Sequence, residues 1–193
     1  GVRQICDERG LLLIFDEVQA GMGRTGAWFG FQHASVRPDV VTMAKGIANG
    51  MPVGAMWARD DVAAAFVPGD HGSTYAGQPL ALSAARATLA ELERIDAPAV
   101  GRAHEATFRS LLEPMAAVDH VRGRGLLLGV ELTPEALAGR KASDIARACL
   151  DRGLVVNGVT PTALRLAPPF IVTDEQIAEG VEIIGAAIAE GAA

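Results

Sequence analysis

A continuous apolar run, Leu11 to Phe15, constrains the fold of this chain more than any other feature. Five apolar residues in a row match the length of a strand and lack the alternation of a half-exposed one. The run therefore predicts a strand buried on both faces. Similar runs follow at Val40 to Met43 and at Val53 to Trp57. Helical patterns accompany these runs along the chain, and strands that alternate with helices predict an α/β fold.

A domain boundary is predicted at Asp96-Ala97-Pro98. This segment breaks a long helix, rich in Ala and Leu, whose first turn contains Pro79. We expect one domain over residues 1–95 and a second over residues 96–193.

The second domain is predicted to alternate helices and strands as well. Two strand-like runs lie on either side of Gly125, and two shorter ones are expected at Leu154 to Val156 and at Ala163 to Leu166. The last helix is predicted to begin at Thr173, because Thr173 and Gln176 have the spacing of a capping box.

Composition excludes several classes of protein. The chain has 17 basic and 23 acidic residues, a formal net charge of −6, which argues against a main partner that is nucleic acid. No apolar run approaches the roughly 20 residues that cross a bilayer, so no membrane association is expected. Cys6 and Cys149 are far apart and lack the spacing of a disulfide framework or metal site. We therefore expect no metal and a cytoplasmic location.

Two nucleotide-binding interpretations arise in the first 26 residues. Gly21 to Gly26 matches the pattern G-x-G-x-x-G, but five residues separate it from the strand and no amphipathic helix follows, which argues against a dinucleotide site. The strand that ends in Asp16-Glu17 also resembles the Mg²⁺-holding strand of P-loop ATPases, although this chain lacks their phosphate-binding motif. That alternative stays open. So does the simpler one, that Asp16 and Glu17 are polar residues where a buried strand reaches solvent.

A third interpretation uses Asp16 together with Lys45. Lys45 follows the second apolar run and is the only lysine among the first 140 residues. Open α/β sheets bind ligands at the carboxyl ends of their strands, where both residues are expected. Pyridoxal phosphate needs a lysine amine for a Schiff base and a carboxylate that keeps its ring nitrogen protonated. The alternative for Lys45 is an ordinary surface lysine.

Three stretches together are characteristic: Phe15 to Gly26, Pro38 to Gly46 and His71 to Ala81. They resemble the class III, pyridoxal-phosphate-dependent aminotransferases, and the resemblance continues to Leu164 to Pro169, over nearly the whole chain. It implies the C-terminal part of a fold-type I transferase. Residues 1–95 would then be part of the large cofactor-binding domain, and residues 96–193 the small α/β domain.

The resemblance also implies a set of cofactor-binding residues. Asp16 would pair with the pyridine nitrogen, Val18 would pack beneath the ring, and Gln19 would bind the ring hydroxyl. Lys45 would form the Schiff base and move the proton between substrate and cofactor. Thr74 would bind the cofactor phosphate of the partner subunit, which implies a homodimer with its active sites at the subunit interface.

Two further residues would bind the substrate by the same resemblance. Ser73 would touch it, and Arg165 would bind its α-carboxylate, a task suited to a guanidinium group. Without the resemblance, Arg165 is better explained as an exposed strand residue.

The motifs are most similar to the acetylornithine aminotransferases of arginine biosynthesis. This implies transfer of an amino group from N2-acetylornithine to 2-oxoglutarate, with ornithine, succinylornithine, diaminopimelate or 4-aminobutyrate as alternative donors. On its own, this chain is expected to have no catalytic activity, because family members have an upstream half that completes the active site. A purely structural or interaction module is the remaining alternative.

Overall fold

The computed structural model describes residues 1–190, which form two units. The first covers Gly1–Pro98, and the second begins at Ala99. The elements that start in the first unit, in chain order, are α1 (Val2–Arg9), β1 (Ile14–Asp16), β2 (Val40–Met43), β3 (Ala55–Ala58), α2 (Asp60–Ala63), α3 (Pro79–Arg94) and α4 (Ala97–Leu112), the last of which continues into the second unit.

The first unit contains a mixed three-stranded sheet in the order β1-β2-β3. Strands β1 and β2 are parallel, and Asp16 lies opposite Thr42. Strand β3 pairs with β2 in the antiparallel direction, with Met56 opposite Thr42. Because β1 and β2 are parallel, their carboxyl ends meet at the same edge of the sheet.

Within residues 1–190, the strand in the run Leu11 to Phe15 is shorter than the run and is not buried on both faces. Strand β1 begins only at Ile14, whose side chain is 58% exposed. It is an edge strand of the sheet described within residues 1–190. The third apolar run behaves similarly, because β3 begins at Ala55 and the side chains of Met56 and Trp57 are exposed.

A buried carboxylate, Asp39, connects the elements of the first unit just before β2. Its Oδ2 accepts hydrogen bonds from the Leu13 N–H and from Arg3 Nη1, both at 2.7 Å. Its Oδ1 lies 2.9 Å from Arg59 Nη1, directly after β3. The Leu13 N–H, and next the Arg3 guanidinium, hold the pKa of the Asp39 carboxyl below its ordinary value of 3.8. Asp39 thus joins α1, β1 and β3 to the start of β2.

Replacing Asp39 with asparagine is expected to lower the free energy of unfolding by about 3 kcal/mol at pH 7, because two guanidinium groups lose their buried counter-ion. The folded-state pKa is depressed, so this contribution is present above the unfolded-state pKa and is lost as pH falls through the folded-state value. Urea unfolding of the full-length protein should show the two stabilities converging in acid.

The matched control for this prediction is Asp61→Asn. Asp61 also pairs with Arg59, at 2.9 Å, but its side chain is 70% exposed, so its removal should change stability little. A stability difference for Asp39→Asn that stays constant from pH 7 into acid would show that the charge of Asp39 is unimportant.

The second unit is built on a wholly antiparallel sheet in the order β4-β5-β7-β6. Its core contains Leu112, Leu128, Ile145 and Ile184, contributed by helices and strands alike. No helix within residues 1–190 is long and apolar enough to span a membrane. The remaining elements are β4 (Val118–Arg124), β5 (Leu127–Leu132), α5 (Pro134–Leu137), α6 (Ala142–Asp151), β6 (Asn157–Gly158), β7 (Ala163–Leu166) and α7 (Asp174–Ala189).

Sequence-based expectations for this unit hold at its last helix and fail at one strand. Thr173 Oγ1 accepts from the Gln176 N–H at 3.2 Å and the Gln176 side chain accepts from the Thr173 N–H at 3.0 Å, which confirms the capping box. The strand predicted at Leu154 to Val156 is wrong. The Leu154 N–H instead donates to the Cys149 carbonyl at 2.9 Å and closes the end of α6, so pairing starts at Asn157. The α/β fold class itself is confirmed.

Candidate active site

Asp16 and Lys45 lie at or just after the carboxyl ends of the two parallel strands of the first unit. Asp16 is the last residue of β1 and lies opposite Thr42 in β2. The Glu17 N–H donates to the Thr42 carbonyl at 2.9 Å, which extends the pairing by one residue. Lys45 comes three residues after Thr42, so the carboxylate and the amine both belong to the carboxyl edge of the β1–β2 pair.

The Asp16 carboxylate is exposed, and only one of its two oxygens accepts a hydrogen bond within residues 1–190. Its Oδ1 accepts a hydrogen bond from the Val18 N–H at 2.9 Å, which forms a tight turn directly after β1. Its Oδ2 makes no hydrogen bond within residues 1–190. Val18 is half-buried in this turn and Gln19 is exposed beside it. Asp16 therefore has a fixed orientation and one oxygen available to a ligand.

Lys45 has an unusual backbone for a residue with a side chain. Its φ angle is +47°, in the left-handed region that costs a non-glycine residue energy, and such strain concentrates at functional sites. The Lys45 amine is exposed and makes no ion pair within the described part of the chain. Together with the loop that follows it, Lys45 lines an open cleft whose other residues are Gly46, Asn49, Gly50, Met51, Pro52 and Val53.

The sequence does not distinguish Glu17 from Asp16, but the two carboxylates differ in burial: Glu17 is buried and Asp16 is exposed. Glu17 is 4% exposed, so the interpretation of it as a residue that reaches solvent is wrong. Its two carboxylate oxygens accept from the Gly30 and Phe31 N–H groups at 2.8 and 2.9 Å, which start the 3₁₀ helix Gly30–Ala34. A Cβ at position 30 would come within 3.3 Å of Glu17 Oε1, which favours glycine there, but a glycine 13 positions away does not identify this contact from the sequence.

Ser73 and Thr74 lie in the long exposed segment that precedes α3. Ser73 Oγ accepts hydrogen bonds from the Tyr75 and Ala76 N–H groups at 3.3 and 3.2 Å. Within residues 1–190, neither side chain forms a hydrogen bond with Asp16 or Lys45. The structure therefore does not bring these two residues into the Asp16–Lys45 edge through direct bonds.

Arg165 lies in the second unit, on β7. It sits between Gly129 of β5 and Asn157 of β6 in the antiparallel register. Its Nη2 donates to Asn157 Oδ1 at 3.1 Å, and its Nε is buried without a hydrogen-bond partner. A half-buried guanidinium with unused donor capacity is suited to a carboxylate ligand.

Comparison with known proteins identifies the family. The model of the family "Aminotransferase class-III" matches residues 1–188. The acetylornithine aminotransferase of Corynebacterium efficiens is 44% identical over 190 residues, which cover 98% of this chain and 46% of that protein.

Solved structures of aminotransferases also superpose on this chain. An ornithine aminotransferase from Plasmodium yoelii superposes with a TM-score of 0.85 at 34% identity, over 98% of this chain and 50% of its own. The acetylornithine aminotransferase of Elizabethkingia anophelis gives a TM-score of 0.82 at 34% identity, over 97% of this chain and 48% of its own.

The chain spans about half the length of the relatives that it matches. Nearly all of its residues take part in the match, which overturns the P-loop ATPase and dinucleotide-binding alternatives. The parallel strand ends that carry Asp16 and Lys45 lie inside the matched region. This chain belongs to the class III aminotransferase family.

Proposed function

We propose that the full-length protein is a pyridoxal-phosphate-dependent aminotransferase that moves the amino group of N2-acetylornithine to 2-oxoglutarate, in the cytoplasm, as a step of arginine biosynthesis. The observation that carries the proposal is the pair Asp16 and Lys45 at one sheet edge, in a chain 44% identical to an acetylornithine aminotransferase. The two units would be the end of the large cofactor-binding domain and the small domain.

The donor set fits pyridoxal phosphate. Within residues 1–190, Asp16 has one carboxylate oxygen without a hydrogen bond, and the Lys45 amine forms no ion pair. Gln19 has an exposed amide. When bound, the cofactor supplies an aldehyde and a ring that accepts electrons from the reacting carbon.

Each residue of the first unit then has a defined task. Asp16 Oδ2 accepts the hydrogen bond of the ring nitrogen and keeps the proton there, since a carboxylate stabilises the adjacent positive charge. Lys45 Nζ would hold the cofactor aldehyde until the substrate amine displaces it. The freed Lys45 amine would then act as a general base and take the proton from the substrate carbon that bears the reacting nitrogen. Val18 packs against the ring and Gln19 Nε2 donates to the ring hydroxyl.

Substrate and phosphate contacts complete the proposal. Arg165 would bind the α-carboxylate of 2-oxoglutarate, which adjoins the reacting carbon of that substrate. Ser73 contacts the substrate, and Thr74 binds the cofactor phosphate of the partner subunit. The enzyme is accordingly proposed to act as a homodimer.

A second candidate donor is ornithine, which is favoured by the superposition on the ornithine aminotransferase of Plasmodium yoelii. Steady-state kinetics of the full-length protein with 2-oxoglutarate distinguishes the two. We expect kcat/KM for N2-acetylornithine to exceed that for ornithine by about a hundredfold, because a site that hydrogen-bonds the acetylated amine discriminates against the free amine. Faster turnover of ornithine would establish the second candidate, and no turnover of any ω-amine would contradict the proposed activity.

A further inference from the structure

Glu17 is the buried residue of the turn that carries Asp16 and Gln19. It is 4% exposed, whereas Asp16 and Gln19 are both exposed. The Glu17 N–H donates to the Thr42 carbonyl at 2.9 Å, so Glu17 continues the course of β1, and successive side chains of a strand project to opposite faces. We therefore expect the Glu17 carboxylate to act on a bound ligand only through Asp16.

The Glu17 carboxylate holds the start of the 3₁₀ helix Gly30–Ala34. Its Oε2 accepts from the Gly30 N–H at 2.8 Å, and its Oε1 accepts from the Phe31 N–H at 2.9 Å. A carboxylate that accepts two N–H groups makes stronger and more directional bonds than a neutral acceptor. The rings of Phe15 and Phe31, with centroids 5.8 Å apart, add apolar packing between the same two segments, but apolar burial does not fix direction. The two hydrogen bonds therefore set the position of the turn against this helix.

Two glycines lie against Glu17. A Cβ at Gly30 would come within 3.3 Å of Glu17 Oε1, and a Cβ at Gly21 would come within 2.8 Å of the Glu17 carbonyl oxygen. That carbonyl accepts from the Gly21 N–H at 2.9 Å. The N–H, the carbonyl and both carboxylate oxygens of Glu17 are thus all bonded, and their partners belong to three different segments. A change in the Glu17 side chain is therefore expected to shift the turn.

We infer that Glu17 is a positioning residue for the cofactor: through the Gly30 and Phe31 N–H groups, it holds the turn so that Asp16 Oδ2 meets the ring nitrogen. This inference rests on the proposed function, in which Asp16 accepts from that nitrogen. The hydrogen bond from the Val18 N–H orients the Asp16 carboxylate within the turn but does not place the turn itself. Placement matters because an error of about 1 Å at a reacting group can cost about a hundredfold in rate.

The test uses the full-length enzyme and its Glu17→Gln variant, alone and combined with Asp16→Asn. Glutamine has nearly the same shape and keeps one acceptor oxygen, but its NH₂ group cannot accept from the second N–H. We expect Glu17→Gln to lower kcat about tenfold, with both KM values within about twofold of the wild type. In the Asp16→Asn background, the same change should lower kcat less than about twofold, because the charge whose position it alters is already absent.

Two further measurements do not depend on turnover. Hydrogen exchange of the apoenzyme, followed by mass spectrometry, should be faster in the peptide that contains Asp16 and Val18 when Glu17 is replaced by glutamine. Titration of the apoenzyme with pyridoxal phosphate should show an affinity about fivefold lower than that of the wild type. Thermal unfolding of the same samples verifies that the variant is folded.

Gly30→Ala disturbs the same contact while Glu17 stays in place, so it tests the inference even if Glu17→Gln does not fold. The added methyl group would press on Glu17 Oε1, and a small displacement of the carboxylate should lower kcat about threefold. This loss should also nearly disappear in the Asp16→Asn background. An undiminished loss in that background would contradict the inference.

Gln32→Ala is the matched control. Gln32 Oε1 accepts from the Phe29 N–H at 2.9 Å and so stabilises the start of the same 3₁₀ helix, but Gln32 is exposed and forms no hydrogen bond with the Asp16 turn within residues 1–190. Its kcat should stay within about twofold of the wild type. A loss as large as that of Glu17→Gln would overturn the inference, because loosening the helix would then be sufficient.

Failure of the inference differs from failure of the proposed function. If Glu17→Gln keeps the wild-type kcat, or if its loss is the same with and without the Asp16 carboxylate, Glu17 does not position Asp16 and the inference is wrong. Asp16 then keeps its proposed role, provided that Asp16→Asn alone slows turnover. A wild-type kcat in Asp16→Asn alone would instead contradict the proposed function and the inference together.

Discussion

Lys45→Ala is expected to abolish transamination by the full-length protein, with kcat reduced by about three orders of magnitude or more. The variant removes the amine that we propose anchors the cofactor aldehyde and then takes the substrate proton, and general acid–base catalysis alone contributes about 10²- to 10⁴-fold. The Lys45 side chain is exposed and makes no ion pair within residues 1–190, so shortening it to alanine should not destabilise the fold. Steady-state kinetics and thermal unfolding measure the two effects separately.

Two further variants make this prediction specific. Lys141→Ala removes an exposed lysine from the start of α6 and should leave turnover unchanged. Lys45→Arg keeps the positive charge but not the nucleophilic amine, so it should be as inactive as Lys45→Ala. Borohydride treatment of the wild type followed by peptide mapping should fix the cofactor on the peptide that contains Lys45. Attachment to another lysine, or near-normal turnover by Lys45→Ala, would refute the assignment.

Features that depend on a few neighbouring residues could be predicted from the sequence. Pro79 begins α3, and Thr173 with Gln176 caps α7, since both signals act within one helical turn. The apolar residues Leu154 to Val156 gave no such local signal. Whether they form a strand depends on a partner strand and on the end of α6, which takes the Leu154 N–H for itself.

Burial of β1 could not be predicted from the apolar run alone, for a related reason. An apolar run shows that a segment is suited to a covered position, but coverage depends on which elements pack over it. In the described residues, β1 is at the edge of its sheet and Ile14 is exposed.

The candidate site also contains some features that could be predicted from the sequence and others that could not. Asp16 and Lys45 each follow an apolar strand run, so their common sheet edge follows from parallel pairing alone. Glu17 could not be separated from Asp16, because its hydrogen-bond partners are the N–H groups of residues 13 and 14 positions ahead. The bond between Asn157 and Arg165 depends on strand register, which a single sequence does not reveal.

Asp16→Asn is expected to slow turnover by about 10²- to 10⁴-fold while leaving the local structure intact. Asparagine retains an Oδ1 that accepts the 2.9 Å hydrogen bond from the Val18 N–H, so the turn after β1 should persist. The variant lacks the negative charge that, in the proposed function, keeps the ring nitrogen protonated. The loss should therefore appear mainly in kcat, because that charge acts most strongly in the transition state.

Comparison with Asp16→Ala distinguishes the charge from the turn. Alanine removes both the charge and the acceptor of the Val18 N–H, so it should add a loss of cofactor affinity to the fall in kcat that Asp16→Asn shows. Cofactor titration, thermal unfolding and separate kcat and KM values provide the necessary measurements. If Asp16→Asn keeps the wild-type kcat, the carboxylate does not act on the ring nitrogen, and Asp16 only forms the turn that ends β1.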